Sequence, residues 1–303
     1  MNSLIVGSIA FDAIETPFGK TDKIIGGAGS YICFSASYFV KPQAIAVVGY
    51  DFPQAFIQKL HNKGVDTEGL QISKDEKTFF WSGRYFDNMN QRETLVTELN
   101  VMEHFTPIVP ESYKNTEYVM LGNLSPVIQR QVLEQMNHKP KFVALDTMNF
   151  WMDIMLDELK KTISMVDIII INDEEAYQLT GERCVTKAAR IICAMGPQYV
   201  IIKKGEHGAT LFNKDEVFIA PALPLEDVVD PTGAGDTFAG AFIGYIAQKV
   251  KTDFETMKTA VIMASAMASF TVEKMGTEAL ENLSTDEIKD RVLKFKQISE
   301  FSL

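Results

Sequence analysis

A chain of 303 residues, 46% hydrophobic and 23% charged, has the composition of a globular protein with a large core, and excludes a disordered or fibrous chain. Its 29 basic and 40 acidic residues leave a formal charge of −11, which opposes non-specific attraction to nucleic acid or to an anionic membrane surface. Cys33, Cys184 and Cys193 show no CxxC or His-rich metal spacing, and each lies in an apolar stretch, so all three read as structural core thiols.

The chain opens on SLIVGSIAFD, an apolar strand without the basic region or cleavage site of a signal peptide. No run is long enough to span a membrane, and the expected compartment is the cytoplasm. Short β-branched runs then alternate with amphipathic stretches of helix length. The strand candidates are Leu4–Ile9, Ala44–Val48, Tyr118–Leu121, Phe142–Leu145, Ile168–Ile171 and Val200–Ile202. Helices are expected over Ser30–Phe39, Pro53–Lys63, Val127–Met136, Met152–Ile163, Glu174–Leu179 and Thr186–Ala194. This rhythm predicts an α/β fold with a doubly wound, mostly parallel sheet and helices on both faces. Ala13–Ile25 and Gly69–Leu99 break it, because TFFWSGRYFD and RETLVTEL alternate like strands with no helix between them. They predict a discontinuous β lid of residues 13–25 and 69–99 on a main domain of residues 1–12, 26–68 and 100–303. The apolar lid residues Phe79, Phe80 and Trp81 suggest a homodimer formed lid to lid. After Gly205 comes a β-rich stretch, ATLFNKDEVFIAP, then helices from Asp236 to about Gln248, Phe254–Val272 and Thr285–Ile298.

The most informative stretch is DPTGAGDTFAGAF at residues 230–242. Gly233, Ala234 and Gly235 form a turn whose backbone N–H groups converge where a helix begins, a corner that attracts anions. Asp236 stands at that corner, placed to accept a hydroxyl proton while the amides and helix dipole hold developing phosphate charge. GAGD taken alone also reads as a loop with an N-capping Asp. The first strand is followed by no GxGxxG turn, which sets a dinucleotide-binding oxidoreductase aside.

VGSIAFD at 6–12, GGAGS at 26–30, VGYD at 48–51, NDEE at 172–175, KKGEHG at 203–208, DPTGAGDTFAGAF and EKMGT at 273–277 together resemble the ribokinase-like, or phosphofructokinase-B, family of sugar and nucleoside kinases. The resemblance runs nearly end to end. It implies ATP as phosphoryl donor, Mg²⁺ as cofactor, a hydroxyl of a small sugar or nucleoside as acceptor, and Asp236 as the catalytic base. A monovalent cation is a further candidate ion. Kinases of phosphorylated sugars, and a silent sugar- or nucleotide-binding regulatory protein, are the alternatives.

The remaining candidate residues divide between donor and acceptor. Asn172 and Glu175 follow the IIII strand, where they can position a hydrated Mg²⁺ or simply form a capping box. Lys203, Lys204, Gly205 and Gly208 end another strand, and strand alternation allows one lysine to face the nucleotide. Asp230 and Thr232 lead into the turn. The resemblance places Ser265 and Gly276 near the adenine pocket. On the acceptor side it makes Asp12 the anchor for sugar hydroxyls, with Gly26 and Gly27 close to the sugar. Tyr31 stands where many members carry a substrate-contacting asparagine, and reads either as a stacking ring or as core. Phe11, Trp81, Arg84, Asn88 and Arg92, with Asp146, Asn149 and Trp151, are further cleft candidates. Arg84 and Arg92 can pair with an acidic acceptor or serve as surface residues.

Overall fold

A computed structural model describes residues 1–86, 89 and 92–300. The strands in chain order are β1 (Asn2–Val6), β2 (Ala10–Thr16), β3 (Gly19–Lys20), β4 (Ile24–Gly26), β5 (Lys41–Val48), β6 (Leu70–Ile72), β7 (Phe80–Tyr85), β8 (Arg92–Glu98), β9 (Tyr118–Leu121), β10 (Phe142–Asp146), β11 (Ile168–Asn172), β12 (Tyr199–Lys203), β13 (Ala209–Phe212) and β14 (Val217–Ala220). Nine of them form one sheet in the order β14-β13-β12-β11-β10-β9-β1-β5-β6. Pairing is parallel from β6 to β12 and antiparallel for the β13–β14 hairpin at the edge. From β1 the chain first winds toward β6 and later returns beside β1 to wind toward β12. The carboxyl ends of β1 and β9 therefore mark the topological switch point where such sheets bind ligands.

Strand alternation divides the core into two layers. On one face Ile168, Ile170 and Ile201 pack with Phe34, Phe242 and Met267, from helices Ala28–Ala36, Ala234–Lys249 and Phe254–Thr271. On the other, Ile169, Ile171 and Ile202 pack with Val132, Leu159 and Ile192 from the helices Pro126–Glu134, Leu156–Ile163 and Val185–Cys193. Strands buried on both faces read as continuous β-branched runs, which is why they were visible in the sequence.

The second sheet runs β3-β2-β7-β8, with β4 paired to β2. Its first segment begins at Ala10 rather than Ala13. The expected strand Leu4–Ile9 stops at Val6, because Gly7 meets the backbone of Gly29 and the chain turns there. The expected second lid segment also shortens. Leu70–Ile72 runs parallel to β5 in the large sheet, so the small sheet resumes at Phe80. The expected helix Met152–Ile163 is two helices, Asn149–Ile154 and Leu156–Ile163, broken at Met155 by an extended φ of −141°. Of the cysteines, Cys33 is buried, but Cys184 is exposed at a helix entry because GERC is a surface turn, and Cys193 is half-buried. No helix among the described residues is long and apolar enough to cross a membrane.

Gly29 shows what the close approach demands. A Cβ there would lie 2.8 Å from the Gly7 carbonyl oxygen and 3.0 Å from that of Ser8, both backbone atoms. Gly29→Ala should therefore destabilise the protein by about 1–3 kcal/mol, the usual cost of overpacking. Urea denaturation will read this, and an unchanged midpoint would contradict it.

Candidate active site

Three neighbouring parallel strands, β10, β11 and β12, end in Asp146, Asn172 and Lys203. By alternation each of these residues shares a face with Ala144, Ile170 and Ile201, the face covered by the helix Ala234–Lys249. The row therefore points toward the start of that helix. Lys204 belongs to the opposite parity, and its backbone N–H donates to the Gly208 carbonyl at 2.7 Å. Of the two lysines, Lys203 is the one that reaches the turn: its Nζ lies 2.8 Å from where a Gly235 Cβ would stand.

The helix starts from Gly233, whose φ of 75° is left-handed and whose missing side chain makes room for the Tyr31 ring. No side chain caps this helix, so Asp236 is not the N-cap residue; it stands in the first turn with its carboxylate available. The Thr237 N–H closes onto the Gly233 carbonyl at 2.8 Å, and the Ala234 N–H turns back to Pro231 at 3.2 Å. Ala234 therefore spends its amide within the turn, contrary to the expected anion-hole role. The amides of Gly235 and Asp236 have no acceptor within the helix, as for any first turn.

Asp230 is fully buried and ties this turn down. Its two oxygens accept from the Thr232 N–H at 2.9 Å and the Gly276 N–H at 3.1 Å. Gly276, with a φ of 59°, thereby joins the turn to Ile24 of β4. Two bonds anchor the small sheet to the same place: Thr232 Oγ1 donates to Tyr85 Oη at 3.2 Å, and Thr16 Oγ1 donates to the Val229 carbonyl at 3.2 Å.

Asp12 lies not at the end of β1 but within β2 of the small sheet, opposite Ile24 and Trp81, because the chain turns at Gly7, and it is 4% exposed. Its Oδ2 accepts from the Gly27 N–H at 3.4 Å and fills the space where a Gly26 Cβ would be. These glycines are thus fixed by close contact, and Gly27 is the N-cap of helix Ala28–Ala36. Tyr31 is 1% exposed and lies in the core, which removes the stacking role. Its hydroxyl nevertheless has no hydrogen-bond partner among the described residues. Burial, reinforced by Asp12, Asp230 and Asp236, pushes the phenol well above its ordinary range and keeps it neutral.

Burial also lifts the carboxylates. Asp236 is raised to about 7 by burial and then by the charge of Asp146, while Lys203 and Arg92 pull it down. Asp12 is raised to about 7 by burial, against the Gly27 hydrogen bond, and Glu175 to about 7 by burial, against Lys203. For Lys203, burial works against the charge, but Asp146, Glu175 and Asp236 overcome it and hold the ammonium above its usual range.

Asn172 and Glu175 do form the capping box: Asn172 Oδ1 accepts from the Glu175 N–H at 2.7 Å, and Glu175 Oε2 from the Asn172 N–H at 2.8 Å. Among the described residues no group of three or more His, Cys, Asp or Glu side chains forms a metal cage. A Mg²⁺ ion that keeps its waters and leans on phosphates fits this pair; a fully protein-ligated ion does not.

Several candidates fall elsewhere. Arg84 pairs with Glu15 at 2.9 Å, on the side of β7 away from Tyr85, as a half-exposed surface pair. Arg92 is the small-sheet arginine that matters: its guanidinium lies 5.4 Å over the Trp81 ring, and its charge lowers the pKa of Asp12, Glu175 and Asp236. Asn149 donates to Gln178 and Trp151 to Asn123, so both serve packing. Phe11 packs on Phe52, under Lys23. Ser265 is half-buried on the helix Phe254–Thr271 and Gly205 is exposed in a short turn, neither hydrogen-bonded to the cluster among the described residues. Asn88 lies outside the described residues.

A family model, pfkB family carbohydrate kinase, matches residues 3–283. The chain belongs to this family. A cytidine kinase of Thermococcus kodakarensis is 30% identical to this pfkB-family chain over 254 residues, covering 81% of it and 88% of the relative. The nucleoside kinase of Burkholderia thailandensis in complex with inosine superposes with a TM-score of 0.77 at 22% identity, covering 96% and 98% of the two chains. Aminoimidazole riboside kinase from Salmonella enterica, complexed with aminoimidazole riboside and an ATP analog, gives 0.76 at 20% identity over 96% and 100%. These structures share the ribokinase-like fold.

The raised pKa of Asp236 has a signed consequence. Its folded value, about 7, exceeds the ordinary 3.8, so the folded state holds the proton more tightly and stability is lost as pH rises through that window. Asn cannot ionise. The melting temperature of Asp236→Asn relative to wild type should climb from about pH 4 to pH 7 and then level; a difference that is flat with pH would contradict the burial.

Proposed function

We propose that this pfkB-family chain is an ATP-dependent kinase of nucleosides or free sugars. The observation that carries the reading is the juxtaposition of Asp236 and the Lys203 amine at an uncapped helix start, with Asp12 across the cleft. Asp12 accepts hydrogen bonds from acceptor hydroxyls and orients the reactive one toward Asp236. Asp236 takes the proton from that hydroxyl as its oxygen bonds to the γ-phosphorus and the bond to the β–γ bridging oxygen breaks, releasing ADP. The amides of Gly235 and Asp236 and the helix dipole hold the charge on the transferring oxygens. Asn172 and Glu175 would hold a hydrated Mg²⁺, which when bound would neutralise charge on the nucleotide phosphates. The small sheet covers the cleft and excludes water, limiting ATP hydrolysis.

The cytidine kinase relative supports a nucleoside acceptor. The pairing of Arg84 with Glu15 weakens the case for a phosphosugar, since this arginine is not free to meet an acceptor phosphate. A base with a pKa of about 7 predicts that kcat/KM rises with pH up to about 7 and then levels. Across a panel of nucleosides, pentoses and hexoses with ATP and Mg²⁺, turnover is expected for one acceptor class. Asp236→Asn should lower kcat by about two to four powers of ten. Normal turnover in that variant would remove the assigned base.

The small sheet also supports a homodimer. β8 is exposed along all seven residues, carries Leu95 and Val96, and pairs on one side with β7. A second copy of this chain is the partner that such an edge fits. Sedimentation should show a dimer that Val96→Lys converts to monomer; a monomeric wild type at high concentration would refute it.

A further inference from the structure

We propose that Lys203 is a catalytic residue, the side-chain half of the anion hole, seated in the space that Gly235 leaves by having no side chain and positioned there by Asp146. The inference rests on the kinase reading above.

Gly235 is not a glycine for backbone reasons. It lies in the first turn of helix Ala234–Lys249 and is absent from the residues with positive φ, unlike Gly233. Alanine is the better helix former, so propensity does not call for glycine here. What a Cβ would meet here within 4 Å is the Lys203 amine at 2.8 Å and its Cε at 3.8 Å, nothing else among the described residues. A side chain at position 235 would therefore displace the amine, the mobile end of Lys203, rather than any backbone atom recorded near it.

The amine is also not fully engaged. Asp146 Oδ1 stands 3.6 Å from Nζ, longer than a hydrogen bond, and that oxygen has no hydrogen-bond partner among the described residues. Both side chains are largely buried, with 17% of Lys203 and 8% of Asp146 exposed. An ammonium has three donors, and an anion bound at the Gly235 and Asp236 amides would fall within reach of one. The helix end offers partial charge; Lys203 adds a whole one where water is scarce. Through transfer it keeps its proton and forms no bond. The hydroxyl proton goes to Asp236, the new O–P bond forms as the bridging O–P bond breaks, and Lys203 stabilises the oxygens in between.

The test is a double-mutant cycle of Lys203→Met and Gly235→Ala, reading kcat with ATP and the accepted nucleoside, and melting temperature with and without inorganic tripolyphosphate. Lys203→Met should lower kcat about 100-fold. Gly235→Ala should leave the melting temperature unchanged or higher yet lower kcat, and in the Lys203→Met background it should cost less than about twofold more. Tripolyphosphate should stabilise wild type and not Lys203→Met. Because methionine leaves Asp146 unpaired, a variant that also carries Asp146→Asn protects the fold in parallel. Losses that multiply would mean that the alanine meets the phosphate itself, and full kcat in Gly235→Ala would mean that the amine needs no such space; either overturns the proposal. If wild type phosphorylates no acceptor, the kinase reading fails by itself, and equal stabilisation of wild type and Lys203→Met by tripolyphosphate then overturns Lys203 independently.

Discussion

Parallel strands share a direction, so the residue that ends each strand is delivered to one common edge of the sheet. In this chain β10, β11 and β12 deliver Asp146, Asn172 and Lys203 side by side, all on the face covered by the helix Ala234–Lys249. Everything chemical depends on that alignment. A slip of one residue in any of these strands would turn its end residue to the other face and bring a sequence neighbour, such as Leu145, Ile171 or Lys204, into its place. The continuous isoleucine runs in β11 and β12, buried on both faces, are what make the register costly to change.

The second constraint is close backbone approach at the other side of the cleft. Gly7 and Gly29 touch backbone to backbone, Gly26 yields its side-chain space to Asp12, and Gly233 yields its own to Tyr31. Asp230 then joins the GAGD turn to Gly276. Asp12, the turn that carries Asp236 and the small sheet therefore meet in a single packed junction.

Much of this was legible in the sequence. Apolar runs identified the buried strands, and the glycine-rich turn before an apolar helix located Asp236. Lys203 could not be told from Lys204 by alternation alone, since that requires knowing which face of β12 the helix Ala234–Lys249 covers. Arg84 and Arg92 look equivalent in the sequence for a related reason: both lie on short strands of a half-exposed sheet, where hydrophobic pattern sets no inward face, and only the pairing of Arg92 opposite Tyr85 puts it on the face that Arg84 does not share. Leu70–Ile72 joins the large sheet, which its sequence does not reveal because three residues carry too little pattern to show a parallel partner. The Ala234 amide is spent on Pro231 in a turn that composition does not disclose.

The electrostatics of the cleft follow from the same assembly. Asp12, Asp146, Glu175, Asp230 and Asp236 converge with Lys203 and Arg92, an excess of carboxylates that burial drives toward the protonated form. A value near 7 leaves Asp236 divided between its ionised and protonated forms at neutral pH, a balance that suits the base proposed for it. That balance has two sources in the fold. Lys203 comes from the large sheet, whereas Arg92 comes from the small one and acts on Asp236 across the cleft. The charges that favour the Asp236 carboxylate thus come from both sheets, and Tyr85 on Thr232 with Thr16 on Val229 join the small one to the turn that carries it.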